Sequence, residues 1–300
     1  MRPRIVCSGM AALDRAYELT ALPDQPGKFI ARGFREVGGG MAATAAVAVA
    51  HLGGSAAWCG RLGRDAVGAT LMAKLAAHGV DTRGATLAEG GQSPTAGILV
   101  DPKGERILAV FPGAGLPEDA PVEPHWLDGA GAVLADPRWI SGAERLFALA
   151  AARGLPRVLD AETSPDGVLA RLAKLADHVV FSERGLAEFA GTPDAEAGLA
   201  RVAPRLDATV AVTLGERGSL WWRDGAALRV PAPRVAARDT TGCGDVFHGA
   251  YALALAERMT VPEAARFATA AAALKAANGE GWDGMPDRDA VEALLREGWA

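Results

Sequence analysis

A short glycine-rich stretch, RDTTGCGDVFHGA at residues 238–250, places small residues and carboxylates directly before an apolar helical pattern. Small residues let backbone amides converge, and amides at the start of a helix bind anions with the help of the helix dipole. The TGCG segment therefore predicts a place where a phosphate can dock. Taken alone, the stretch also fits a simpler interpretation, in which Asp245 is the N-terminal cap of an ordinary helix.

The elements that position this stretch follow an alternating pattern. Short apolar runs alternate with Ala/Leu-rich amphipathic segments, which predicts βαβ units around a mostly parallel sheet. The predicted strands span residues 4–9, 56–63, 131–136, 157–162, 178–182 and 208–215. The predicted helices span about 40–52, 66–78, 142–153, 184–190, 196–203, 245–258, 262–277 and 287–296. The sequence shows no repeat or low-complexity linker, so we expect a single domain over residues 1–300.

Two stretches, at about 16–37 and 93–115, interrupt this rhythm, because each reads as a pair of strands without a crossover helix. In the second stretch, Asp101-Pro102-Lys103-Gly104 has the composition of a tight turn. Two such hairpins can pair into a small sheet that stands off the main body. We therefore expect a β-sheet lid over a binding site.

The composition argues against several functional classes. The net charge of −5 comes without a basic run, which is unlike a nucleic-acid binder. The N-terminal apolar run soon meets Asp14 and lacks a cleavage pattern, so it predicts a first strand rather than a signal peptide. The uncharged run at 41–58 is broken by Gly53-Gly54, which favours a packed helix and strand over a membrane span.

The cysteines are few and scattered: Cys7, Cys59 and Cys243. Such spacing predicts neither a disulfide framework nor a metal site and is typical of a reducing compartment. We therefore expect a cytoplasmic protein with no nucleic-acid or membrane partner.

The stretch at 238–250 resembles the D-T-x-G-A-G-D signature of the ribokinase-like, pfkB-type carbohydrate kinases, with Cys243 where alanine is usual. The resemblance implies an α/β, doubly wound fold with a mostly parallel sheet and a small β-sheet lid. It also implies that Asp245 accepts the proton of a sugar hydroxyl, while the amides of Gly242, Cys243 and Gly244 hold the charge on the transferred γ-phosphate. Phosphoryl transfer relies on this combination of positioning, charge stabilisation and one proton acceptor.

The resemblance continues along nearly the whole chain. The segment EVGGGMAATAAVAVAHLGGSAAWCGRLGRDAVG, at 36–68, is similar to the first signature of the family. This similarity implies that Gly38 and Gly39 let the sugar approach the backbone. GMAALDR places Asp14 after the first strand, where the resemblance implies an aspartate that binds sugar hydroxyls.

Further motifs concern the nucleotide. TLGERGSLW at 213–221 resembles the strand and turn beside ATP, and FATAAAALKAANG at 267–279 resembles the helix beside adenine. The resemblance assigns to ATP the residues Thr213, Gly215, Gly218, Thr240 and Thr269. Asp239 and Thr241 match a loop that binds a monovalent cation such as K⁺ in some members, and this leaves open whether the chain needs one. Mg²⁺ is expected to arrive with ATP.

The sequence also departs from the family pattern. Ala43 stands where sugar kinases of this family often carry asparagine. The N-x-x-E motif that helps to place Mg²⁺ reads here as the segment 182–185, SERG, which lacks both side chains. These differences leave open how Mg²⁺ is placed. They also leave open a regulator that binds nucleotide and has lost catalysis.

Several segments look closest to the sulfofructose kinases of the family: VLADPRW at 133–139, VLDAETSP at 158–165 and DHVVFSERGL at 177–186. This resemblance implies that Lys28 and Arg138 hold a sulfonate, while Val110 replaces a third, polar contact. Charge-assisted hydrogen bonds suit such an anion. Lys28 and Arg138 also fit ordinary surface charge, so a phosphorylated or a neutral ketose remains open, as in tagatose-6-phosphate kinases, fructokinases or ribokinases.

Some features suggest other sites but have simpler interpretations. GEGWDG at 279–284 matches G-x-G-x-x-G but follows a predicted helix, so it predicts a loop rather than a dinucleotide fingerprint. An oxidoreductase would need that fingerprint after the first strand, where CSGMAALD offers one glycine. Cys243 is read as an inert substitute for alanine. The histidines lack metal-ligand spacing and are read as structural: His51, His78, His125, His178 and His248.

Together these patterns predict an ATP-dependent kinase that phosphorylates a primary hydroxyl of a furanose sugar, with 6-deoxy-6-sulfofructose as the specific candidate. Lid hairpins in this family often pair across a dimer, which shields their strand edges. We therefore also expect a homodimer.

Overall fold

Strands and helices alternate along most of the chain in a computed structural model, which describes residues 2–165, 167–223 and 225–299. The first and last residues of the expected domain, 1 and 300, lie outside this range. The strands are β1 Arg4–Ser8, β2 Ala12–Glu18, β3 Gly33–Gly39, β4 Ser55–Cys59, β5 Arg61–Gly63, β6 Thr86–Ala88, β7 Thr95–Val100, β8 Arg106–Phe111, β9 Ala130–Ala135, β10 Arg157–Ala161, β11 His178–Ser182, β12 Thr209–Thr213, β13 Ser219–Arg223 and β14 Ala226–Val230. The helices are α1 Met41–His51, α2 Ala66–Ala77, α3 Ile140–Ala151, α4 Val168–Ala173, α5 Glu183–Ala190, α6 Ala195–Val202, α7 Cys243–Ala256, α8 Val261–Asn278 and α9 Arg288–Glu297.

The main sheet confirms the predicted α/β architecture. Among the described residues its strand order is β14-β13-β12-β11-β10-β9-β1-β4. Neighbours from β4 to β12 are parallel, whereas β12, β13 and β14 pair antiparallel. The strand order reverses beside β1, since the chain runs from β1 outward to β4 and later to β9 on the other side. In such sheets, ligands bind at the carboxyl ends of the strands near this reversal.

Helices cover both faces of the main sheet, which explains why its strands read as continuous apolar runs. Helices α1, α7 and α8 pack on one face and α3 to α6 on the other. Helix α7 lies so close to α1 that a Cβ on Gly249 would be 2.4 Å from the Ala45 carbonyl oxygen. This close packing fixes the N-terminus of α7 beside the N-terminus of α1.

The two predicted hairpins form the small lid sheet, in the order β3-β2-β7-β8. β2 pairs antiparallel with β3 and β7 with β8, and the hairpins join through parallel pairing of β2 with β7. The predicted turn forms at Asp101, whose Oδ1 accepts hydrogen bonds from the amides of Lys103 and Glu105 at 2.9 and 3.0 Å. The strands of the first hairpin reach further than predicted, from Ala12 to Gly39, and residues 19–32 form a long connection between them.

Four elements lie outside the predicted ones, and the first of them, strand β6, has only three residues. Helix α4 has six residues, which is too short for a clear helical period. Strands β13 and β14 form an antiparallel edge of the sheet. β13 has only three consecutive buried residues and β14 is mostly exposed, so neither gives a long apolar run. Within the described ranges, the helices are all too short or too polar to cross a lipid bilayer.

Candidate active site

A cavity of about 220 Å³ lies between the lid sheet, the starts of α1 and α7, and the end of α8 with the turn that follows it. Its walls include Asp14 and Gly38-Gly39 from the lid side, together with Thr240 to Gly242 and Asp245 from the loop before α7. Residues that are more than 200 positions apart in the sequence therefore face one hollow. The sequence motifs that predicted a sugar site and a phosphate site are brought together here.

Asp245 lies in the first turn of α7 without capping it. The N-cap position is Gly242, whose φ of +75° suits glycine, and no side chain caps this helix end. The simpler interpretation of Asp245 as a helix cap is therefore wrong. Among the described residues, the Asp245 carboxylate has no hydrogen-bond partner, so it is available to a ligand in the cavity.

The surroundings of Asp245 make it a stronger base than an ordinary carboxylate. Burial raises its pKa well above the usual value, and the neighbouring charges of Asp160, Asp136 and Glu162 raise it further. His248 opposes this rise. A proton acceptor near a reacting hydroxyl works best when its pKa is moved toward the working pH.

His248 connects α7 to the centre of the main sheet. Its Nδ1 lies 2.7 Å from the Gly244 carbonyl oxygen and 3.4 Å from Asp160 Oδ2, while its Nε2 lies 3.0 Å from the Val180 carbonyl oxygen. The ring is buried, with an exposed fraction of 2%. His248 therefore has the structural role predicted for it, and it also lies close enough to influence the pKa of Asp245.

Asp14 faces the cavity from β2. Burial raises its pKa to about 6, and within the described part of the chain no hydrogen bond reaches its carboxylate. A Cβ on Gly39 would lie 2.3 Å from Asp14 Oδ2, so only glycine leaves room for this carboxylate on the neighbouring strand. At Gly38 a Cβ would collide with the Trp282 ring at 2.3 Å.

Asp136, at the end of β9, was not among the residues that the sequence motifs identified, although it anchors three separate segments of the chain. It is fully buried, and its carboxylate accepts hydrogen bonds from the amides of Met10, Ala42 and Arg138 at 3.0 Å or less. These bonds fix the ends of β1 and β9 against the start of α1. An acidic residue that ends a buried strand in GAVLAD was the available signal.

Positive side chains on the lid face the nucleotide loop, and these too were missed. Arg106 Nη2 donates to Thr240 Oγ1 at 2.6 Å, and its Nη1 lies 3.3 Å from Asp239 Oδ1. Arg35 Nη2 lies 3.7 Å from Asp239 Oδ2. Both lid hairpins are therefore held to the loop before α7 by arginine contacts.

The residues predicted to bind ATP are dispersed. Thr240 lines the cavity, whereas Thr213, Gly215 and Gly218 lie beyond its lining at the end of β12 and in the following turn. That turn is compatible with the motif, since a Cβ on Gly218 would lie 2.0 Å from the Val230 carbonyl oxygen. Thr269 is buried in α8, where its hydroxyl donates to the Ala265 carbonyl oxygen at 2.7 Å.

Lys28 and Arg138 are not among the residues that line the cavity. Lys28 is exposed in the connection between β2 and β3. The exposed Arg138 donates through Nη1 to the Thr163 carbonyl oxygen at 2.8 Å. Val110 pairs with Ala96, which pairs with Asp14, so Val110 shares the cavity face of the lid.

Two further predictions concern neighbours of Asp245. Gly244 and Cys243 form the first turn of α7 but lie outside the cavity lining. Burial raises the pKa of the Cys243 thiol to about 11, so it stays protonated near neutral pH, as expected of an inert cysteine. The GEGWDG segment follows α8 as a turn and not a strand.

The residues expected to hold a monovalent cation fit that role poorly. Asp239 Oδ1 already accepts hydrogen bonds from the amide and hydroxyl of Thr241, at 2.8 and 2.6 Å, besides its contact with Arg106. Three positively charged side chains surround this carboxylate, from Arg35, Arg106 and Lys275. Elsewhere in the described ranges, no group of three or more His, Cys, Asp or Glu side chains is arranged to hold a metal ion.

The chain is similar to known proteins over nearly its whole length. Residues 3–288 match the model of the pfkB family carbohydrate kinases. A fructokinase from Klebsiella pneumoniae is 33% identical over 243 residues, covering 75% of this chain and 78% of that protein. A crystal structure from Agrobacterium tumefaciens has a TM-score of 0.95 and 34% identity, covering 99% of this chain and 98% of that one. The ribokinase of Arabidopsis thaliana, solved with ribose and ATP, has a TM-score of 0.88 and 27% identity over 99% of both chains.

Proposed function

The chain belongs to the pfkB family of carbohydrate kinases, and from this premise we propose that it transfers the γ-phosphoryl group of ATP to a primary hydroxyl of a furanose sugar. It acts as an ATP-dependent carbohydrate kinase. The observation that carries the proposal is the shared cavity of Asp14, Gly242 and Asp245. A sugar held at Asp14 and a phosphate at the start of α7 would meet beside the Asp245 carboxylate.

The residues of the cavity account for each part of the transfer. Asp14 accepts hydrogen bonds from sugar hydroxyls. Gly39 makes room for this carboxylate and Gly38 for the Trp282 ring, and the backbone of both glycines lines the cavity beside the sugar. Asp245 accepts the proton of the reacting hydroxyl, whose oxygen forms a bond to the γ-phosphorus while the bond to the β-phosphate oxygen breaks and ADP leaves. The amides of Gly242, Cys243 and Gly244 stabilise the charge on the transferred group.

The nucleotide lies on the side of the loop before α7. Thr240 would contact it from the cavity wall, and Thr213, Gly215 and Gly218 from the end of β12. Thr269 would support adenine only through its helix, since its hydroxyl is already bonded. When bound with ATP, Mg²⁺ neutralises phosphate charge. Glu162 would offer the kind of oxygen ligand that this ion prefers. Its Oε1 accepts a hydrogen bond from Ser182 at 3.0 Å, at the first position of the altered N-x-x-E motif.

The finer proposal is a sugar with a terminal anion, and 6-deoxy-6-sulfofructose is the specific candidate. Lys28 and Arg138 would hold the anion after a movement of the lid connection, and Val110 would give the pocket an apolar side. A neutral or phosphorylated ketose is the competing substrate class, favoured by the absence of Lys28 and Arg138 from the cavity lining.

The decisive experiment measures ADP release with neutral, phosphorylated and sulfonated ketoses for the parent protein and for Asp245→Asn. We expect the variant to lose about 10²- to 10⁴-fold in kcat, because it cannot accept the hydroxyl proton. Asp119→Asn, an exposed carboxylate outside the cavity, is the matched control. Near-parental turnover by Asp245→Asn would disprove the role of this residue.

The same assay separates the remaining alternatives. If Arg138→Glu weakens turnover of anionic ketoses much more than that of neutral ones, the anion proposal holds; equal effects would refute it. A regulator that has lost catalysis would bind ATP or a sugar, measured by calorimetry, without releasing ADP above the background rate.

We also propose that the chain folds as one kinase domain with the two lid hairpins inserted, that it acts in the cytoplasm and that it forms a homodimer through the lid. The support for the dimer is the outer lid face, where large apolar side chains are exposed: Tyr17, Phe34, Ile107 and Phe111. Burying such a face against a second copy would remove apolar surface from water.

A further inference from the structure

Lys275 is an unusual lysine, because it is buried to an exposed fraction of 1% in the middle of a functional site. Lysine is almost never fully buried unless it is paired. Its Nζ donates to the Gly279 carbonyl oxygen at 3.2 Å, and among the described residues no carboxylate lies within ion-pair distance of it. Lys275 also lines the cavity.

The turn after α8 brings this ammonium group to the loop before α7. The amides of Arg238 and Asp239 both donate to the Ala276 carbonyl oxygen, at 2.8 and 3.2 Å. A Cβ on Gly279 would be 3.6 Å from the Cβ of Asp239. The Gly279 carbonyl that holds Lys275 is therefore part of a turn packed directly against Asp239.

The electrostatic effect of Lys275 reaches both ends of this loop. Burial alone would raise the pKa of Asp239, but the hydrogen bonds from Thr241 and the charges of Lys275 and Arg106 bring it below its usual value. At Cys243, where burial raises the thiol pKa, the Lys275 charge opposes that rise. The ammonium group thus acts on the segment whose amides would hold the transferred phosphate.

We infer that the Lys275 ammonium group takes the place of a bound monovalent cation beside the loop at residues 238–244, so that this kinase needs neither K⁺ nor Na⁺. The inference rests on the proposed function, since it concerns the charge that supports the phosphate site. A cation placed beside Asp239 would meet the positive charges of Arg35, Arg106 and Lys275, which disfavours its binding.

The covalent attachment of the charge has a chemical consequence. A metal ion must bind from solution, whereas the Lys275 ammonium group is positioned by the fold and needs no separate binding step. Positive charge fixed in advance near a developing anion is an effective way to stabilise a transition state. The loop is therefore preorganised in any salt.

The first test uses the unaltered protein at constant ionic strength in K⁺, Na⁺ or tetramethylammonium chloride. We expect kcat with the best sugar to differ by less than about twofold among the three salts, because the Lys275 ammonium group already supplies the charge. Tetramethylammonium serves as the salt without a competent cation, since it is too large for a site that K⁺ would occupy. An activation by K⁺ of about tenfold or more would overturn the inference.

The second test replaces the charge by Lys275→Met, with Lys174→Met on the exposed end of α4 as the matched control. We expect kcat of Lys275→Met to fall about 10- to 100-fold in tetramethylammonium and to recover in part with K⁺, because the variant keeps the shape of the side chain but removes the charge that repels a cation. Parental kcat for the variant in every salt would contradict the inference.

A binding measurement keeps the inference separate from the sugar kinase proposal. Calorimetric titration with ADP should give the parent protein the same Kd in K⁺ and in tetramethylammonium, and Lys275→Met a Kd that K⁺ improves. If no sugar is phosphorylated but the parent binds ADP equally in both salts, the proposed function fails and the inference stands. If sugars are phosphorylated only in K⁺, the inference alone fails.

Discussion

Asp14 is the residue whose ionisation should be visible in substrate binding, because its pKa is raised by burial to about 6. Above this pH the carboxylate is charged and, under the proposed function, would accept hydrogen bonds from sugar hydroxyls. Below it the protonated group loses most of that capacity. We therefore expect the sugar KM to rise as the pH falls through about 6, as measured by initial rates between pH 5 and 8.

Asp14→Asn tests this assignment. The amide does not ionise, so the break in KM near pH 6 should disappear, while KM at pH 7.5 should increase about 10- to 100-fold through loss of charge-assisted bonds. A folding defect is not expected. Because the folded pKa is raised, the charged Asp14 destabilises the folded protein above pH 6, so the variant should unfold at no lower temperature. The same KM break in the variant would assign it to another group.

The chemical role of a residue could be predicted from the sequence only where the residue belongs to a local motif. Asp245 and Asp14 stand in contiguous signatures, and both face the cavity as predicted. Asp136, Arg106 and Lys275 were missed, because their importance lies in contacts with distant residues. Asp136 meets Ala42 at a sequence separation of 94, and Arg106 meets Asp239 at a separation of 133.

At the scale of elements, the contact between β8 and the loop before α7 holds the lid against the main body. Arg106 makes this contact with Thr240 and Asp239. We expect Arg106→Met to increase amide hydrogen exchange in β7 and β8 of the ligand-free protein and to lower kcat/KM by about tenfold, since a looser lid positions substrates less well.

The control for this variant is Arg64→Met, which removes an exposed ion pair with Glu89 away from the cavity. Arg64→Met should leave the melting temperature nearly unchanged, because exposed ion pairs contribute about 1 kcal/mol or less. Arg106→Met should lower it somewhat, because its ion pair with Asp239 is mostly buried. Lid exchange in Arg106→Met equal to that of the control would show that the arginine does not hold the lid.

The elements themselves were predictable to different extents. Strands such as β9 and β11 are buried on both faces and show as continuous apolar runs, so their positions agree with the prediction. Strand β14 does not, since three of its five residues are exposed at the sheet edge. The lid was predictable from two hairpin patterns without crossover helices, but the parallel pairing of β2 with β7 is a long-range contact that neither pattern contains.

At the scale of the whole molecule, the outer face of the lid remains apolar and exposed, which is costly for a lone chain in water. The exposed fraction is 58% for Phe34 and 44% for Ile107. Their side chains lie on the same face of the sheet, because Phe34 pairs with Tyr17, Tyr17 pairs with Leu99, and Leu99 pairs with Ile107. The opposite face of the same sheet lines the cavity. A second copy seated on this lid would therefore stabilise the roof of the active site.

We expect the chain to be a dimer in light scattering after size exclusion, and Phe34→Glu with Ile107→Glu to give a monomer, because buried like charges without partners disfavour association. Leu175→Glu is the control, since Leu175 is an exposed apolar residue (37%) remote from the lid, at the end of α4. The monomer should fold with an unchanged circular dichroism spectrum but lose about tenfold in kcat/KM through a looser lid. A parent protein that is already monomeric at assay concentrations would refute the lid dimer, and a variant that stays dimeric would move the interface elsewhere.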